Sequence, residues 1–290
     1  MGNTDLKPSV LGFGCSKIAS LTTRYTTKEV SSTLEQALDN GITFYDTADI
    51  YGQGDSERLL GKVFNKQRGK VIFCSKAGLT LSAPQRLIRY IKPFLRSGIT
   101  HLQSTSKKTT EIREKIEQQC FEPSYIRNQI ESSLRRLKTD YLDLFLLHNP
   151  PENIISSDEI FDVLDTIKSQ GHIRYYGVSC RTHEDAQLCL QRPSISCLQL
   201  NLNPGNIESA QELLTTLNNS GYGIIARECL ANKQALLHQL EANATDLSKS
   251  NLSPACQAIN AVLQHDEIDV ALAGMACRKH LSDNLKAIVE

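Results

Sequence analysis

The sequence predicts a closed (β/α)8 barrel, and three observations carry that reading. Eight short apolar runs of strand type recur along the chain, each followed by a segment of helical period. The length of 290 residues is close to the roughly 250 typical of this barrel. No linker divides the chain, so residues 1–290 read as one domain. A doubly wound open sheet shares the alternation, but the count of eight strands favours closure.

A short N-terminal hairpin is expected ahead of the barrel. Val10–Cys15 reads as the first strand, and Thr27–Gly41 as a helix with Val30, Leu34, Ala37 and Leu38 on its apolar face. Ile42–Tyr45 is the second strand and Ser56–Phe64 its helix; Lys70–Lys76 is the third strand. After a long gap come the helix Pro123–Lys138 and the fourth strand Tyr141–His148. The helix 157–171 leads to the fifth strand Ile173–Ser179, and the helix 183–191 to the sixth, Ser196–Asn201. The helix 208–221 precedes the seventh strand Tyr222–Ala226; the helix 253–265 precedes the eighth, Ile268–Gly274; and 279–289 closes the chain.

Composition excludes several classes. Hydrophobic residues make up 40% and charged residues 22%, as in ordinary globular proteins. Lys+Arg and Asp+Glu balance at 32 each, without the basic excess of a nucleic-acid binder. No apolar run approaches the roughly 20 residues of a membrane span, and "MGNTDLKPSV" lacks the apolar core of a secretory signal. The nine cysteines form no CxxC pair and no zinc-type spacing, and no metal site is expected. They read as reduced thiols, most of them small core residues, in a cytoplasmic protein.

A barrel of this kind gathers chemistry where its strands end. Here the second strand runs into Asp46, the third ends in Lys76, the fourth in His148 and the fifth in Ser179. Gln199 lies near the end of the sixth, Arg227 follows the seventh, and Tyr51 follows Asp46 by five residues. Taken singly, each has an ordinary reading. Asp46 can cap a turn, Lys76 can be a solvated strand end, His148 a satisfied loop histidine and Tyr51 a packing residue. Together they place four ionisable groups at one predicted mouth. A phenol titrates near pH 10, and an adjacent ammonium is expected to lower that value. Asp46 would hold Lys76, and a neutral His148 would bond the oxygen that Tyr51 protonates. That is general-acid machinery for a carbonyl, and the hydride must come from a cofactor.

These residues, in this order, resemble the aldo-keto reductase superfamily in its bacterial form. The resemblance runs from "LGFGC" to "LSDNLKAI" and is carried by "GITFYDTADIYG", "SERLLG", "SKAG", "SSLRRLKTDYLDLFLLH", "GHIRYYGVS" and the spacing of Gly274 and Asn284. It implies a barrel that binds NADPH, or NADH, in extended form without a Rossmann motif. It implies a catalytic tetrad of Asp46, Tyr51, Lys76 and His148, with Tyr51 the proton donor. The nicotinamide carboxamide would meet Ser179, Cys180 and Gln199, Asp46 would also touch the cofactor, and Arg227 would stack on the ring. Glu228 to Leu230 would approach the pyrophosphate, Arg278 and Lys279 the 2′-phosphate, and Asn284 the adenine. The chain departs from the pattern at Cys180, where asparagine is usual; at Met275 and Ala276, where a basic residue is common; and at Lys233, where glycine is common.

Residues 79–121 form an insertion far longer than an ordinary βα loop. Arg86, Arg89, Lys92, Arg96, Lys107 and Lys108 lie in it with no acid between Ser82 and Thr110. Leu87, Ile88, Ile91, Phe94 and Leu95 share a face opposite the basic residues, and Pro93 kinks or ends that helix. The segment reads as a solvated helix packed on the barrel, as a lid favouring an anionic carbonyl or sugar substrate, or as a membrane-surface or protein-docking element. The resemblance implies a reductase of aldehydes or ketones. It also allows a sugar or lactol dehydrogenase, or a non-catalytic nicotinamide-binding regulatory subunit like the potassium-channel β subunits.

Overall fold

The eight barrel strands pair in parallel and in chain order until the last closes on the first. β1 (Leu11–Gly14) lies between β2 (Phe44–Asp46) and β10 (Val270–Ala273). The ring continues from β2 through β3 (Ile72–Ala77), β6 (Leu142–His148), β7 (Ile173–Ser179), β8 (Cys197–Asn201) and β9 (Gly223–Arg227). The computed structural model describes residues 1–19, 23–80, 118–230 and 252–288. At the two ends of the insertion, β4 (Leu79–Thr80) and β5 (Gln118–Gln119) form a separate antiparallel ladder. The basic residues expected of a lid, Arg86 to Lys108, lie outside the described residues, as does Lys233.

Helices follow the strands: α1 (Thr27–Asp39), α2 (Asp55–Phe64), α3 (Pro123–Leu137), α4 (Glu152–Ile155), α5 (Asp158–Ser169), α6 (His183–Cys189), α7 (Ile207–Asn219), α8 (Pro254–Leu263) and α9 (Arg278–Leu285). Their ends follow local chemistry. Thr26 caps α1 by accepting from the Glu29 amide at 3.2 Å, while the Glu29 carboxylate accepts from the Thr26 amide at 2.7 Å. Pro123 and Pro254 open α3 and α8, where a missing N–H costs nothing. Val30, Leu34 and Ala37 are buried on α1 as their spacing predicts.

The expected N-terminal hairpin is not there: residues 1–10 contain no strand. Their polar groups go elsewhere. The Asn3 amide donates to Gly221 at 2.8 Å, the Met1 amino group reaches Leu6 and Asp269, and Asp5 pairs with Arg174 at 2.8 Å. Pro8 has no amide to give a ladder. The segment therefore runs across the floor of the barrel, with the Met1 side chain packed against its apolar interior.

Alternation along each strand sorts the barrel into two cores. Phe44, Cys74, Leu144, Leu146, Cys197, Ile225, Val270 and Leu272 fill the interior. The residues between them, such as Tyr45, Phe73, Phe145, Val178, Leu198 and Ile224, face the helices. Burying one large apolar side chain contributes roughly 1.5–3 kcal/mol, so this double layer supplies the main folding term. Gly177 marks a close approach in the barrel wall, since a Cβ there would lie 1.9 Å from the Cys197 carbonyl oxygen. All nine cysteines are free, and only Cys120 and Cys277 escape full burial.

The second strand differs from its expected bounds in an informative way. Asp46 is not the residue after the strand but its last member, in register with Gly14 and Cys74. The ladder fixes its backbone on both sides.

Candidate active site

The alternation that fills the barrel with apolar side chains also builds its mouth. Two residues beyond the interior Phe44 comes Asp46; beyond Cys74, Lys76; beyond Leu146, His148; beyond Cys197, Gln199; beyond Ile225, Arg227. Ser179 closes β7 beside His148 and Gln199. The strands thus turn from apolar to polar at one level, the level where the βα loops begin.

Lys76 and Asp46 form the centre. The Lys76 Nζ lies 2.7 Å from Asp46 Oδ1 and 2.8 Å from Oδ2, and also donates to the Thr47 carbonyl at 2.9 Å. Gln199 Nε2 donates to Asp46 Oδ1 at 2.8 Å, and Ser179 Oγ to Gln199 Oε1 at 3.2 Å. Burial works against the Lys76 ammonium, but Asp46, Tyr51 and Cys74 outweigh it and hold its pKa above that of ordinary lysine. It is a buried cation held against its carboxylate.

Tyr51 sits on a 3-10 turn (Tyr51–Gln53), half-buried, with its ring 5.2 Å from Lys76 Nζ. The His148 ring meets it edge-on, with centroids 6.0 Å apart. The ammonium lowers the phenol's pKa as expected, but burial outweighs it and the net shift is upward. Burial pushes it up; Lys76 and Arg227 pull it down, and Asp46 adds to the rise. Asp46 offsets part of the Lys76 effect, and burial decides the direction. His148 is buried, and burial together with the Lys76 and Arg227 charges pushes its pKa well below the usual imidazole value. It is a neutral ring, as expected.

The remaining predicted residues divide. Arg227 joins the mouth, donating to the Cys180 carbonyl at 3.0 Å and pairing with Glu228. Glu228 also accepts from Asn201 at 2.9 Å, on a left-handed backbone at φ 59°. Leu230 packs on the outer core. Cys180 does not join by its side chain. The strand's alternation turns the thiol away from Ser179 and Gln199, into the outer core where Cys189 of α6 is its hydrogen-bond partner. Arg278 and Lys279 are exposed at the start of α9, with Arg278 bonded to Ser32 of α1 at 2.9 Å. Asn284 is buried in the same helix, and its Nδ2 has no partner.

Asn149 and Thr47 belong to this mouth and were not picked out from the sequence. Asn149 adopts φ 53°, and its Oδ1 accepts from Ser179 Oγ at 3.3 Å. Its carbonyl accepts from Gln119 Nε2 at 2.9 Å, which ties the mouth to the foot of the insertion. The signal was an asparagine directly after a strand end, a residue type that tolerates left-handed backbone.

Residues 10–290 match the model of the aldo/keto reductase family. The chain belongs to that family. It is 30% identical over 183 residues to the uncharacterized oxidoreductase YqkF of Bacillus subtilis, covering 62% of this chain and 47% of that protein. It is 32% identical over 158 residues to YcsN of the same organism, covering 53% and 44%. The alignment thus spans about half the length of these two relatives or less. The L-galactose dehydrogenase of Arabidopsis thaliana is 25% identical with 100% of this chain and 87% of its own covered. Among solved structures, the aldo-keto reductase of Bacillus halodurans in its holo form has a TM-score of 0.77 at 22% identity, covering 100% and 89%. An aldo/keto reductase of Klebsiella pneumoniae in complex with NADP and acetate has a TM-score of 0.67 at 21% identity, covering 96% and 85%. At these identities the structures establish the shared barrel.

Proposed function

We propose that this aldo/keto reductase family member transfers hydride reversibly between NAD(P)H and a small aldehyde or ketone, with Tyr51 as general acid. The observation that carries the reading is the buried Lys76–Asp46 pair set against the Tyr51 ring, with a neutral His148 edge-on to the same ring. When bound, the nicotinamide cofactor supplies the hydride that no side chain can.

The residues present fit such a cofactor. Three buried polar atoms along the mouth and α9 stand without partners: His148 Nδ1, Arg227 Nε and Asn284 Nδ2. Two of them belong to side chains expected to hold it, and buried polar atoms without partners suit a ligand that supplies them. Ser179 and Gln199 offer hydroxyl and amide at the end of the strands, and the Arg227 guanidinium is planar and suited to stacking. Arg278 and Lys279 at a helix N-terminus favour the phosphate of NADPH over NADH.

The chain's own part is the proton. Burial keeps Tyr51 protonated at neutral pH, so its hydroxyl is a donor to the carbonyl oxygen. The Lys76 ammonium compensates the phenolate left behind, and Asp46 holds Lys76 in place. His148 orients the oxygen by a neutral hydrogen bond, which adds no competing charge. In the oxidative direction the same phenol must first lose its proton, so higher pH favours that direction. A sugar or lactol dehydrogenase is the second reading, favoured by the full-length likeness to L-galactose dehydrogenase.

The test is a fluorescence titration with NADPH and NADH, followed by a screen of aldehydes, ketones and sugars with wild type and Tyr51→Phe. We expect NADPH binding in both proteins and a turnover about 100- to 10,000-fold lower in the variant. Binding without any turnover in wild type would point to a regulatory subunit. Undiminished turnover in Tyr51→Phe would overturn the assignment of the proton donor.

A further inference from the structure

Asp49 is a half-buried residue, with its carboxyl Oδ1 buried, that the chemistry above leaves unused. It lies midway along the loop from Asp46 to Tyr51, and its backbone amide donates to the carbonyl of Lys76 at 3.0 Å. The Thr47 amide donates to Cys74 at 2.8 Å, so alternate amides bind this loop to β3. After Tyr51, three consecutive residues, Gly52, Gln53 and Gly54, take left-handed backbones at φ 59°, 62° and 83° before α2 begins. For Gln53 that conformation costs roughly 1–2 kcal/mol, so the turn depends on what anchors its two ends.

One anchor is Glu57, fully buried on α2. Ser75 Oγ donates to its Oε1 at 2.6 Å and Arg136 Nε to its Oε2 at 2.5 Å, so both oxygens have strong donors. The Arg136 fork also reaches Ser133 at 3.0 Å. Asp49 has no comparable support. Its Oδ1 is buried without a partner, and the Ile50 backbone amide donates to its carboxyl. The charges facing it are Glu57 from α2, Arg136 from α3 and Lys76 from β3. Both cations are already in contact with other carboxylates, Arg136 with Glu57 and Lys76 with Asp46. Burial first, and then the negative charge of Glu57, push the Asp49 carboxyl up to about 8, against Arg136, the Ile50 amide and Lys76.

We propose that Asp49 carries a proton at neutral pH, and that this neutral acid is a positioning group for Tyr51. Glu57 holds the donors that stabilise a charge, whereas Asp49 Oδ1 has none, so of the two neighbouring carboxyls Asp49 is the one to keep its proton. Loss of the Asp49 proton sets like charges against each other beneath the Asp46–Tyr51 loop and loosens the turn that carries the phenol. Asp49 touches none of the reacting atoms; it acts through the loop. The kinetic consequence rests on the proposed reductase chemistry, while the protonation state does not.

The two are tested separately. Carbon-13 NMR of chain labelled at the aspartate carboxyl carbons, with Asp49 identified by its absence in Asp49→Asn, reads the proton directly. We expect a midpoint near the value of about 8, moved lower by about one unit in Glu57→Gln. A midpoint below about pH 5 in wild type would overturn the proposal whatever the enzyme does. Kinetics then read the positioning role. At pH 6.5, kcat of Asp49→Asn should match wild type within about twofold, because the amide copies the neutral acid. Above pH 8.5, wild type should fall about fivefold or more relative to the variant. An identical alkaline limb in both proteins, or a tenfold slower variant at pH 6.5, would refute it. If no carbonyl is turned over, the hydride-transfer reading fails while the NMR midpoint still decides Asp49.

Discussion

Lys76 and Asp46 are in direct contact inside the barrel mouth, Nζ to Oδ1 at 2.7 Å, with side-chain exposures of 1% and 6%. Removing one partner of such a pair leaves the other charge buried alone. For Lys76→Met we expect about 3–5 kcal/mol of lost stability, measured by urea denaturation. Carbonyl reduction should fall by about 100-fold or more, because the phenolate loses its compensating charge. A variant as stable and as active as wild type would remove the pair from both roles.

His148 sets an acid limit. Its folded pKa lies below the usual 6.5, because burial and the nearby Lys76 and Arg227 charges resist protonation. The sign follows from proton uptake: unfolding releases the ring into water, where it binds a proton that the folded site refuses. Its contribution is intact above about pH 6.5 and is lost as the pH falls, at about 1.4 kcal/mol per pH unit, until the folded pKa is reached. Wild type should therefore lose more stability than His148→Gln between pH 7.5 and 5.0 in parallel urea melts. Equal losses would show that His148 does not carry the acid sensitivity.

Much of this was legible in the sequence because the relevant signals are local. Period, caps and strand ends gave the eight strands and their helices, and the run from "FYD" to Tyr51 placed the carboxylate and phenol together. What was not legible depended on which way a side chain turns at the strand end. Cys180 follows Ser179 by one residue, so the pleat sends it to the opposite side, against Cys189. The fall expected in the Tyr51 pKa ignored burial, which no residue pattern reports. The N-terminal hairpin failed for a similar reason. Where the Asn3 amide and the Met1 amino group find acceptors, at Gly221 and at Leu6 and Asp269, is a tertiary fact.

Gly177 tests the tightness of the barrel wall. A Cβ there would meet the Cys197 carbonyl oxygen at 1.9 Å and a Leu146 methyl at 2.9 Å. A backbone carbonyl in a ladder cannot swing aside, so β7 and β8 must separate. Gly177→Ala should cost about 3 kcal/mol or more. Gly69→Ala is the matched control, since nothing lies within 4 Å of its Cβ. It should stay within about 0.5 kcal/mol of wild type. Similar urea midpoints for the two variants would contradict the predicted close approach.

Asp143 offers a way to separate stability from chemistry. It is buried on the outer face of β6 near the floor of the barrel. Its Oδ2 accepts from Arg68 at 2.7 Å and from the Phe73 amide at 2.9 Å, and its Oδ1 accepts from Arg174 at 2.9 Å. One carboxylate thus joins β3, β6 and β7 from the side opposite the mouth. In Asp143→Asn the amide nitrogen must face a guanidinium or the Phe73 amide, and one donor loses its acceptor. We expect about 3 kcal/mol of lost stability. NADPH affinity should change by less than about twofold at a temperature where the variant is folded, because sites this far apart act independently. A urea melt and a fluorescence titration check the two halves. If cofactor affinity falls together with stability, the floor and the mouth of the barrel are coupled.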